Sequence, residues 1–315
     1  MNGSTFRGEK SPLLVIAGPT ASGKTGLAVA LASRFDIEVV SADSRQVYRA
    51  MDIGTAKATA HERSQVVHHG IDVVNVDQDF SVADFVRLAH AAIADIRQRG
   101  HWPVVVGGTG LYIRALTEGL VDVPGADEAL RRQLERQEQE APGRLYRELE
   151  DVDPELAKRL HIHDVTRIIR GLEVFATTGR PLSAWQREHD FSDQPYRLLK
   201  LAPAIDRGAL YQRIDERVEL MLRQGLVEEV RGLLRRGYDR RLSAMETIGY
   251  KQIVAHLLDG LPLPEAVEQI QRESRRYAKR QLTWLRRDSQ IIWVDYPGQF
   301  DTIFKLVDEF LCNCR

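Results

Sequence analysis

Cysteine is almost absent from this chain. Its 315 residues include only two, Cys312 and Cys314, and both lie at the extreme C-terminus. Such a pair cannot build a disulfide scaffold, and a zinc site would need further cysteine or histidine ligands close by. We therefore interpret both cysteines as part of a frayed tail.

Long apolar runs are also missing. No stretch approaches the ~20 apolar residues that a membrane-spanning helix needs. The first ten residues, MNGSTFRGEK, contain no apolar signal core, and we predict that residues 1–10 form a disordered tail. With 43% hydrophobic residues the chain can still bury a core. These features predict a cytoplasmic protein that does not associate with membranes.

A strong excess of charge is absent as well, since the formal net charge is −1. One segment departs from this balance. Residues 272–287 contain seven Lys or Arg and a single acidic residue, Glu273, interleaved with Tyr277, Gln281 and Trp284. A charge run is often only a solvated helix face, but one-signed cations between aromatics are typical of RNA contact. We predict that this segment binds RNA.

The sequence does contain a phosphate-binding pattern. Residues 18–25, GPTASGKT, match G-x-x-x-x-G-K-[ST], follow the apolar run 13–17 and open a predicted helix over 24–34. Backbone N–H groups and the helix dipole can then point at one anion. Lys24 adds a cation and Thr25 a hydroxyl for Mg²⁺. The alternative is a ligand-free turn. The predicted polyphosphate contacts are Gly18, Pro19, Thr20, Ala21, Ser22, Gly23, Lys24 and Thr25.

Strands and helices alternate around this loop. Strands are predicted at 13–17, 37–42, 71–74 and 103–106, and a helix between the last two begins at a Ser81–Asp84 capping box. Strand character returns at 196–202 and at 291–294. This order predicts an α/β fold, a P-loop NTPase-like core with a central parallel sheet, whose ligands bind at the carboxyl ends of the strands.

Composition changes after about residue 124. Residues 127–140 are mostly charged or Gln around a few Leu and Ala, and helical patterns follow at 143–150, 154–160, 164–178 and 182–188. We predict an inserted all-helical domain over 125–195, while residues 11–124 and 196–315 form the core.

Three further features suit a ligand site. Asp43 follows the second strand; it is either a helix cap or an acid that meets Mg²⁺ or a substrate hydroxyl. In GGTGLY, residues 107–112, the glycines allow close backbone approach and place Thr109 at the mouth of the cleft. On the helix after Asp206, Arg213 and Arg217 share a face. They are either surface cations or a clamp for pyrophosphate.

Six segments follow one another along the chain: GPTASGKT at 18–25, SADSRQVY at 41–48, GGTGLY at 107–112, RIIRGLEV at 167–174, ETIGYKQ at 246–252 and AKRQLTWLRR at 278–287. In this order they resemble the segments of the bacterial tRNA dimethylallyltransferases, the IPP transferase family. The similarity extends from about residue 11 to residue 295. A phosphate loop alone is shared with many NTPases, whereas the other segments are more selective.

The resemblance implies a reaction. A dimethylallyl group passes from dimethylallyl pyrophosphate to the exocyclic amine of the adenosine 3′ of the anticodon, in tRNAs that read codons starting with U. The products are N6-isopentenyladenosine and pyrophosphate. Lys24 and Mg²⁺ on Thr25 then stabilise the leaving group. Asp43 matches the general base, Thr109 matches the residue that orients the amine, and either Arg213 or Arg217 completes the clamp.

The resemblance also implies a monomer that contacts the anticodon stem-loop of tRNA. The target adenine must leave its stack to react. The implied contacts are Asp43, Ser44, Arg45, Gln46 and Thr109; Thr166, Arg167 and Arg170 of the inserted domain; Glu246, Gly249, Tyr250 and Lys251; and Lys279, Arg280, Gln281, Trp284 and Arg286.

Two other functions fit part of the pattern. A phosphate-loop kinase for a small molecule or nucleoside needs only residues 18–25 and Asp43, and it leaves GGTGLY and the basic segment without a role. An NTP-switched RNA-binding module is the third possibility. Release of ADP from ATP distinguishes a kinase from the transferase.

Overall fold

The structure is a computed structural model, and it describes residues 10–189 and 194–312. They form two compact units, Met1–Thr117 with Pro195–Arg315, and Glu118–Gln194. Of the predicted tail only Lys10 is described, and Cys314 also lies outside the described residues. Cys312 ends a helix, so the interpretation of this position as frayed is wrong. Within the described ranges, no helix combines the length and apolar character needed to cross a membrane.

The first unit contains a six-stranded sheet in which every pairing is parallel, with strand order β3-β2-β4-β1-β5-β6. The predicted central parallel sheet is confirmed. The strands are β1 (Ser11–Ala17), β2 (Ile37–Ala42), β3 (His68–His69), β4 (Trp102–Gly107), β5 (Tyr196–Pro203) and β6 (Ile291–Val294).

The helices cover both faces of this sheet and build the second unit. In chain order they are α1 (Lys24–Ala32), α2 (Ala60–Gln65), α3 (Val82–Gln98), α4 (Gly110–Glu118), α5 (Glu128–Glu140), α6 (Arg144–Val152), α7 (Pro154–Ala157), α8 (Val165–Thr178), α9 (Leu182–His189), α10 (Arg207–Arg223), α11 (Leu226–Arg235), α12 (Tyr250–Leu258), α13 (Leu263–Leu285) and α14 (Phe300–Cys312).

The packing of strand β1 shows that the sheet is buried on both faces. Alternate side chains of this strand point to opposite sides. Leu13 and Val15 join a core with residues of α3 and α4, whereas Leu14 and Ile16 join a core with residues of α1 and α14. A strand buried on both faces reads as a continuous apolar run, which is how β1 appears in the sequence.

One predicted strand is wrong. The sequence predicts a strand over 71–74, but the structure places β3 earlier, at His68–His69. Asp72 has a left-handed backbone (φ 56°), which a strand cannot accommodate. Its carboxylate accepts hydrogen bonds from Lys57 Nζ (2.6 Å) and Arg63 Nη1 (3.1 Å). Residues 71–74 therefore form a loop that the ion pairs of Asp72 hold in place. Within this loop, Val74 forms an isolated β-bridge to Tyr48.

The second unit, Glu118–Gln194, contains α5 to α9 around its own apolar core. A buried carboxylate, Glu173, connects its segments. It accepts hydrogen bonds from the backbone N–H of Asp127 (2.7 Å) and from Arg131 Nε (2.8 Å), and it also pairs with Arg170. The unit begins seven residues before the predicted boundary at 125.

Glu38 is a buried carboxylate at the amino end of β2, and we expect it to control acid stability. Its side chain accepts hydrogen bonds from Arg99 Nη2 (3.0 Å), His69 Nε2 (2.7 Å) and His101 Nδ1 (2.6 Å). Burial alone would raise the pKa of Glu38, but these partners outweigh it and lower the pKa to about 2. The resulting stability is present above the unfolded pKa of 4.5 and is lost as pH falls toward 2.

Replacing Glu38 with Gln should therefore lower the free energy of unfolding at pH 7 by about 3 kcal/mol. Urea denaturation from pH 7 to pH 3 checks this. The wild type should lose stability below about pH 4.5, and the variant should lose less over the same interval. Equal pH slopes for the two proteins would contradict the assignment. Asp36→Asn, at an exposed neighbouring carboxylate, is the matched control.

Candidate active site

The carboxyl end of β1 leads into the glycine loop, residues 18–25, and then into α1. Gly23 precedes α1 with a left-handed backbone (φ 93°), a conformation that favours glycine. The first turn of α1 leaves its backbone N–H groups without helical partners. Ser22 Oγ is buried and has no hydrogen-bond partner among the described residues. An orphaned hydroxyl beside a helix N-terminus fits a loop that receives an anion.

Two cations face this loop. Lys24 Nζ donates to the carbonyl of Pro19 (2.7 Å), and Arg217 Nη1 donates to Thr20 Oγ1 (3.2 Å). Loss of hydration, together with the charge of Arg217, lowers the pKa of Lys24 to about 8, although Asp43 opposes the shift. Burial likewise lowers the pKa of Arg217. Cations that lose hydration and repel each other are stabilised when a polyanion binds.

The structure separates the two arginines of α10. This helix packs against α13 through Leu210 and Ile214. Its packing carries Arg217 to the loop at Thr20, whereas Arg213 is exposed. The geometry therefore favours Arg217 over Arg213 as a clamp for the anion.

Asp43 follows β2 and faces the loop. Its Oδ1 accepts the backbone N–H of Arg45 (2.8 Å) and, at longer range, that of Gln46 (3.4 Å). No hydrogen bond to Oδ2 occurs within the described ranges of the chain. The charge of Asp43 acts on both Lys24 and Arg217. One carboxylate oxygen therefore orders the turn, and the other is available at the cleft.

The side chains that follow Asp43 are engaged with the protein. Gln46 Nε2 donates to the carbonyls of Thr55 (3.3 Å) and Ala56 (3.2 Å), and Arg45 Nη1 donates to the carbonyl of Ser243 (3.1 Å). These contacts order the loop after β2. The RNA contacts predicted for Ser44, Arg45 and Gln46 stay predictions.

Thr109 lies after β4, beside Asp43. Its backbone N–H donates to the carbonyl of Ala42 (3.2 Å), and its Oγ1 accepts the N–H of Ser44 (3.1 Å). Tyr277 on α13 lies near both Thr109 and Asp43: burial, and the charge of Asp43, raise the pKa of its phenol, whereas the Thr109 side chain lowers it. Tyr277 was not among the site residues predicted from the sequence. Its position four residues before Gln281, on one face of α13, was the available signal.

Helix α13 and the two residues after it carry the basic segment 272–287. Lys279, Arg280 and Arg286 are exposed, as an RNA-binding face requires. Gln281 is different: it is 8% exposed, and both ends of its carboxamide are hydrogen-bonded to backbone. Trp284 is half-buried and packs on the core of the first unit. Both polar groups of the Gln281 side chain are thus paired within the protein, and the RNA contact predicted for this residue stays a prediction.

Tyr250 is also paired within the protein, and its predicted RNA contact stays a prediction. Its side chain is fully buried, and its hydroxyl donates to Glu229 Oε1 (2.6 Å). The Glu229 carboxylate in turn accepts the backbone N–H groups of Asp52, Ile53 and Gly54, at 2.8, 2.8 and 3.1 Å. Tyr250 and Glu229 thus hold the loop after β2 from its inner side. Nothing in the sequence around Glu229 signals this role.

The other predicted contacts of the 246–252 segment differ in exposure, and Gly249 is buried. Glu246 is exposed, and Lys251 Nζ pairs with Glu273 Oε2 (2.8 Å). Gly249 precedes α12 with a positive φ of 98°. These three positions stay predicted RNA contacts.

In the second unit, Thr166 and Arg167 are exposed on the first turn of α8. Arg170, one turn later, donates to the carbonyl of Pro124 (2.8 Å) and pairs with the buried Glu173. Arg170 therefore holds the entry to this unit, whereas Thr166 and Arg167 present their side chains to solvent.

The protein offers few ligands for a resident metal ion. Across residues 10–189 and 194–312, no group of three His, Cys, Asp or Glu is arranged to hold one. Thr25, in the first turn of α1, is half-buried. Mg²⁺ commonly takes a few protein oxygens together with substrate phosphates. The residues fit a cation that arrives with a pyrophosphate ligand.

Comparison with known proteins agrees with this arrangement. A family model described as IPP transferase matches residues 46–288, and one described as isopentenyl transferase matches residues 11–74. The chain is 55% identical over 303 residues to the tRNA dimethylallyltransferase of Geobacter metallireducens, covering 96% of this chain and 98% of that protein. It is 53% identical over 304 residues to tRNA dimethylallyltransferase 1 of Syntrophotalea carbinolica, with coverages of 96% and 97%.

Solved structures of the same family are also similar to this chain. The full-length tRNA isopentenylpyrophosphate transferase of Bacillus halodurans matches with a TM-score of 0.72 and 39% identity, covering 96% of this chain and 98% of that one. A eukaryotic dimethylallyltransferase described as acting on tRNA matches with a TM-score of 0.81 and 28% identity, covering 97% and 80%. The resemblance drawn from the sequence motifs is thereby confirmed, and the chain belongs to the IPP transferase family.

Proposed function

We infer that this protein transfers a dimethylallyl group from dimethylallyl pyrophosphate to the exocyclic amine of the adenosine 3′ of the anticodon, in tRNAs that read codons starting with U. The observation that carries the inference is the position of Asp43. Its carboxylate faces Lys24 and Arg217 at the phosphate loop while Thr109 lies beside it. A base, a leaving-group cradle and a hydroxyl thus share one cleft in the first unit.

On the donor side, the protein holds the group that departs. Pyrophosphate is bound by the N–H groups of the loop, by the Ser22 hydroxyl and by the cations Lys24 and Arg217. These groups stabilise the leaving group more strongly as negative charge develops on it while the C–O bond breaks. Enzymes acting on pyrophosphate esters generally need a divalent cation. We propose Mg²⁺, held by the Thr25 hydroxyl and the phosphates, which supplies further positive charge to the leaving group.

On the acceptor side, the protein must activate a weak nucleophile. The lone pair of the adenine amine is delocalised into the ring, so the amine must lose a proton as it attacks. Asp43 Oδ2 takes that proton, and the Thr109 hydroxyl orients the amine. General-base assistance of this kind contributes about 10²- to 10⁴-fold. The adenine reaches the cleft only after it leaves the anticodon-loop stack, which is the usual mode of reading loop bases.

The exposed cations of α13 supply the RNA-binding face of the first unit. Each phosphate that a cation neutralises adds about 0.7–0.9 to the slope of log affinity against log salt concentration. Lys279→Ala and Arg280→Ala should therefore each flatten this slope by about one unit and weaken binding at low salt. Filter binding of an anticodon stem-loop at several salt concentrations checks this.

The control for that measurement is Lys305→Ala, at an exposed lysine of α14. It should leave the slope unchanged. Slopes equal to wild type for both α13 variants would remove this helix from the RNA-binding surface. The exposed Thr166 and Arg167 of the second unit are proposed to add contacts there.

A phosphate-loop kinase is not favoured. It would use the loop and Asp43 but leaves Thr109, Tyr277 and the basic face of α13 without a task. The named relatives are dimethylallyl- or isopentenyltransferases. With ATP, Mg²⁺ and nucleoside acceptors, this protein should release no ADP.

The direct test uses the purified protein, Mg²⁺, dimethylallyl pyrophosphate and an anticodon stem-loop with adenine 3′ of the anticodon. Mass spectrometry of the RNA should show the addition of one five-carbon unit, and pyrophosphate should appear in equal amount. A stem-loop with guanine at that position is the control and should stay unmodified. No mass gain with either the stem-loop or native tRNA would reject the function.

A further inference from the structure

Gln281 lies where three distant segments of the first unit meet. Its Oε1 accepts the backbone N–H of Thr20 (3.0 Å), and its Nε2 donates to the carbonyl of Gly108 (2.9 Å). The side chain is 8% exposed, so both bonds are shielded from water. One carboxamide therefore joins the phosphate loop to the turn after β4, and it does so from α13.

The fit around Gln281 is close. A Cβ atom on Gly108 would lie 2.3 Å from Gln281 Nε2, so only glycine admits the amide at that point. One turn later, Trp284 lies over Gly110, where a Cβ atom would come within 2.6 Å of the indole. Helix α13 thus contacts the 107–110 turn at two points, through the polar Gln281 amide at Gly108 and through the apolar Trp284 ring at Gly110.

The two atoms that Gln281 holds belong to opposite sides of the proposed reaction. Thr20 is part of the loop that binds the departing pyrophosphate, and its Oγ1 also meets Arg217. Gly108 directly precedes Thr109, which accepts the N–H of Ser44 next to Asp43. The distance from Thr20 to Gly108 therefore relates the donor cradle to the acceptor side.

We propose that Gln281 is a positioning residue, which fixes the separation of the pyrophosphate loop from the Thr109 turn so that the allylic carbon and the adenine amine align. The proposal rests on the proposed function. Gln281 touches neither substrate; its role is to hold two backbone segments. Bond formation requires the reacting atoms ~3–3.5 Å apart and in line, and a displacement of ~1 Å costs on the order of 10²-fold in rate.

The first test is Gln281→Leu, measured by single-turnover transfer to the stem-loop. The rate of the chemical step should fall by about 10- to 100-fold, while the dissociation constants for RNA and for dimethylallyl pyrophosphate stay within about threefold. Gln271→Leu, at a glutamine on the same helix whose amide faces Glu219 instead, is the matched control. A rate for the Gln281 variant within threefold of this control would overturn the proposal.

The second test is Gln281→Glu, whose rate should depend on pH in a way that a purely structural role would not produce. An ionised carboxylate can accept from Thr20 N–H but cannot donate to the Gly108 carbonyl, whereas a protonated carboxyl does both. The ratio of variant to wild-type rate should therefore rise as pH is lowered. For Gln281→Leu and Gln271→Glu, the same ratio should stay flat. A flat ratio for Gln281→Glu would overturn the proposal.

Circular dichroism and thermal unfolding accompany both tests. If both Gln281 variants lose the fold, Gln281 acts on stability and the proposal is overturned. If the wild-type protein itself transfers no dimethylallyl group, the proposed function fails. A wild type that transfers normally, together with Gln281 variants that match their controls, rejects only the role of Gln281.

Discussion

Replacing Asp43 with Asn should lower kcat by about 10²- to 10⁴-fold, because it removes the base that accepts the proton of the adenine amine. The amide keeps an oxygen for the N–H of Arg45 and Gln46, so the turn after β2 stays ordered. RNA affinity should therefore change by less than about threefold, because the mutation removes no cation from the RNA-binding face. Single-turnover rates and stem-loop binding, measured in parallel, separate the two effects.

The matched control is Asp77→Asn, at an exposed carboxylate in the same unit. It should behave as wild type. A kcat for Asp43→Asn within tenfold of wild type would show that another group takes the proton. Equal losses of kcat and RNA affinity would show that Asp43 acts in binding.

Replacing Lys24 with Met should lower kcat/KM for dimethylallyl pyrophosphate by about 10²- to 10³-fold, which is the cost of losing one donor to developing negative charge. Methionine fills a similar length of the cleft but carries no charge, and Arg217 stays in place at Thr20. KM for the RNA should change little. An unchanged kcat/KM for the donor would place pyrophosphate away from this loop.

The same variant tests a pH dependence. In the free protein the pKa of Lys24 is lowered to about 8, first by lost hydration and then by Arg217. Bound pyrophosphate raises the pKa of Lys24, so binding takes up a proton near pH 8 and weakens as pH rises further, by up to one log unit per pH unit. Below about pH 7, Lys24 is charged in both states and contributes no pH dependence.

Titration calorimetry in buffers with different ionisation enthalpies measures this proton uptake. The ligand's own titration contributes equally in the wild type and in Lys24→Met, so the difference between the proteins isolates Lys24. Identical proton uptake by both at pH 8 would remove Lys24 from the binding site.

The parallel sheet was predictable because β1, β2 and β4 appear in the sequence as short, mostly apolar runs that end at or just before a glycine or an acidic residue. Strand β3 was not, since Ile71-Asp-Val-Val has strand composition but Asp72 is drawn into a loop by Lys57 and Arg63. Those cations lie 15 and 9 residues away. A local pattern cannot register a competing ion pair at that separation.

The sequence motifs predicted which segments form the site, but they predicted less well what each side chain contacts. Residues 18–25, Asp43 and Thr109 follow strand ends, so sheet topology alone gathers them. The choice of Arg217 over Arg213 depends on how α10 packs, and the burial of Tyr250 and Gln281 depends on partners far along the chain. A motif shows that a residue matters, but it does not show whether the residue faces substrate or backbone.

The hydrogen bonds that Gln281 and Arg217 make with the first and fourth strand ends have a consequence for synthesis of the chain. They join residues separated by 261, 173 and 197 positions. While the nascent chain leaves the ribosome, the glycine loop emerges early, yet the side chains that support it emerge only within the last third of the protein. Until α10 and α13 dock, a partly made enzyme lacks the groups that fasten this loop, so catalytic competence is deferred to near the end of translation.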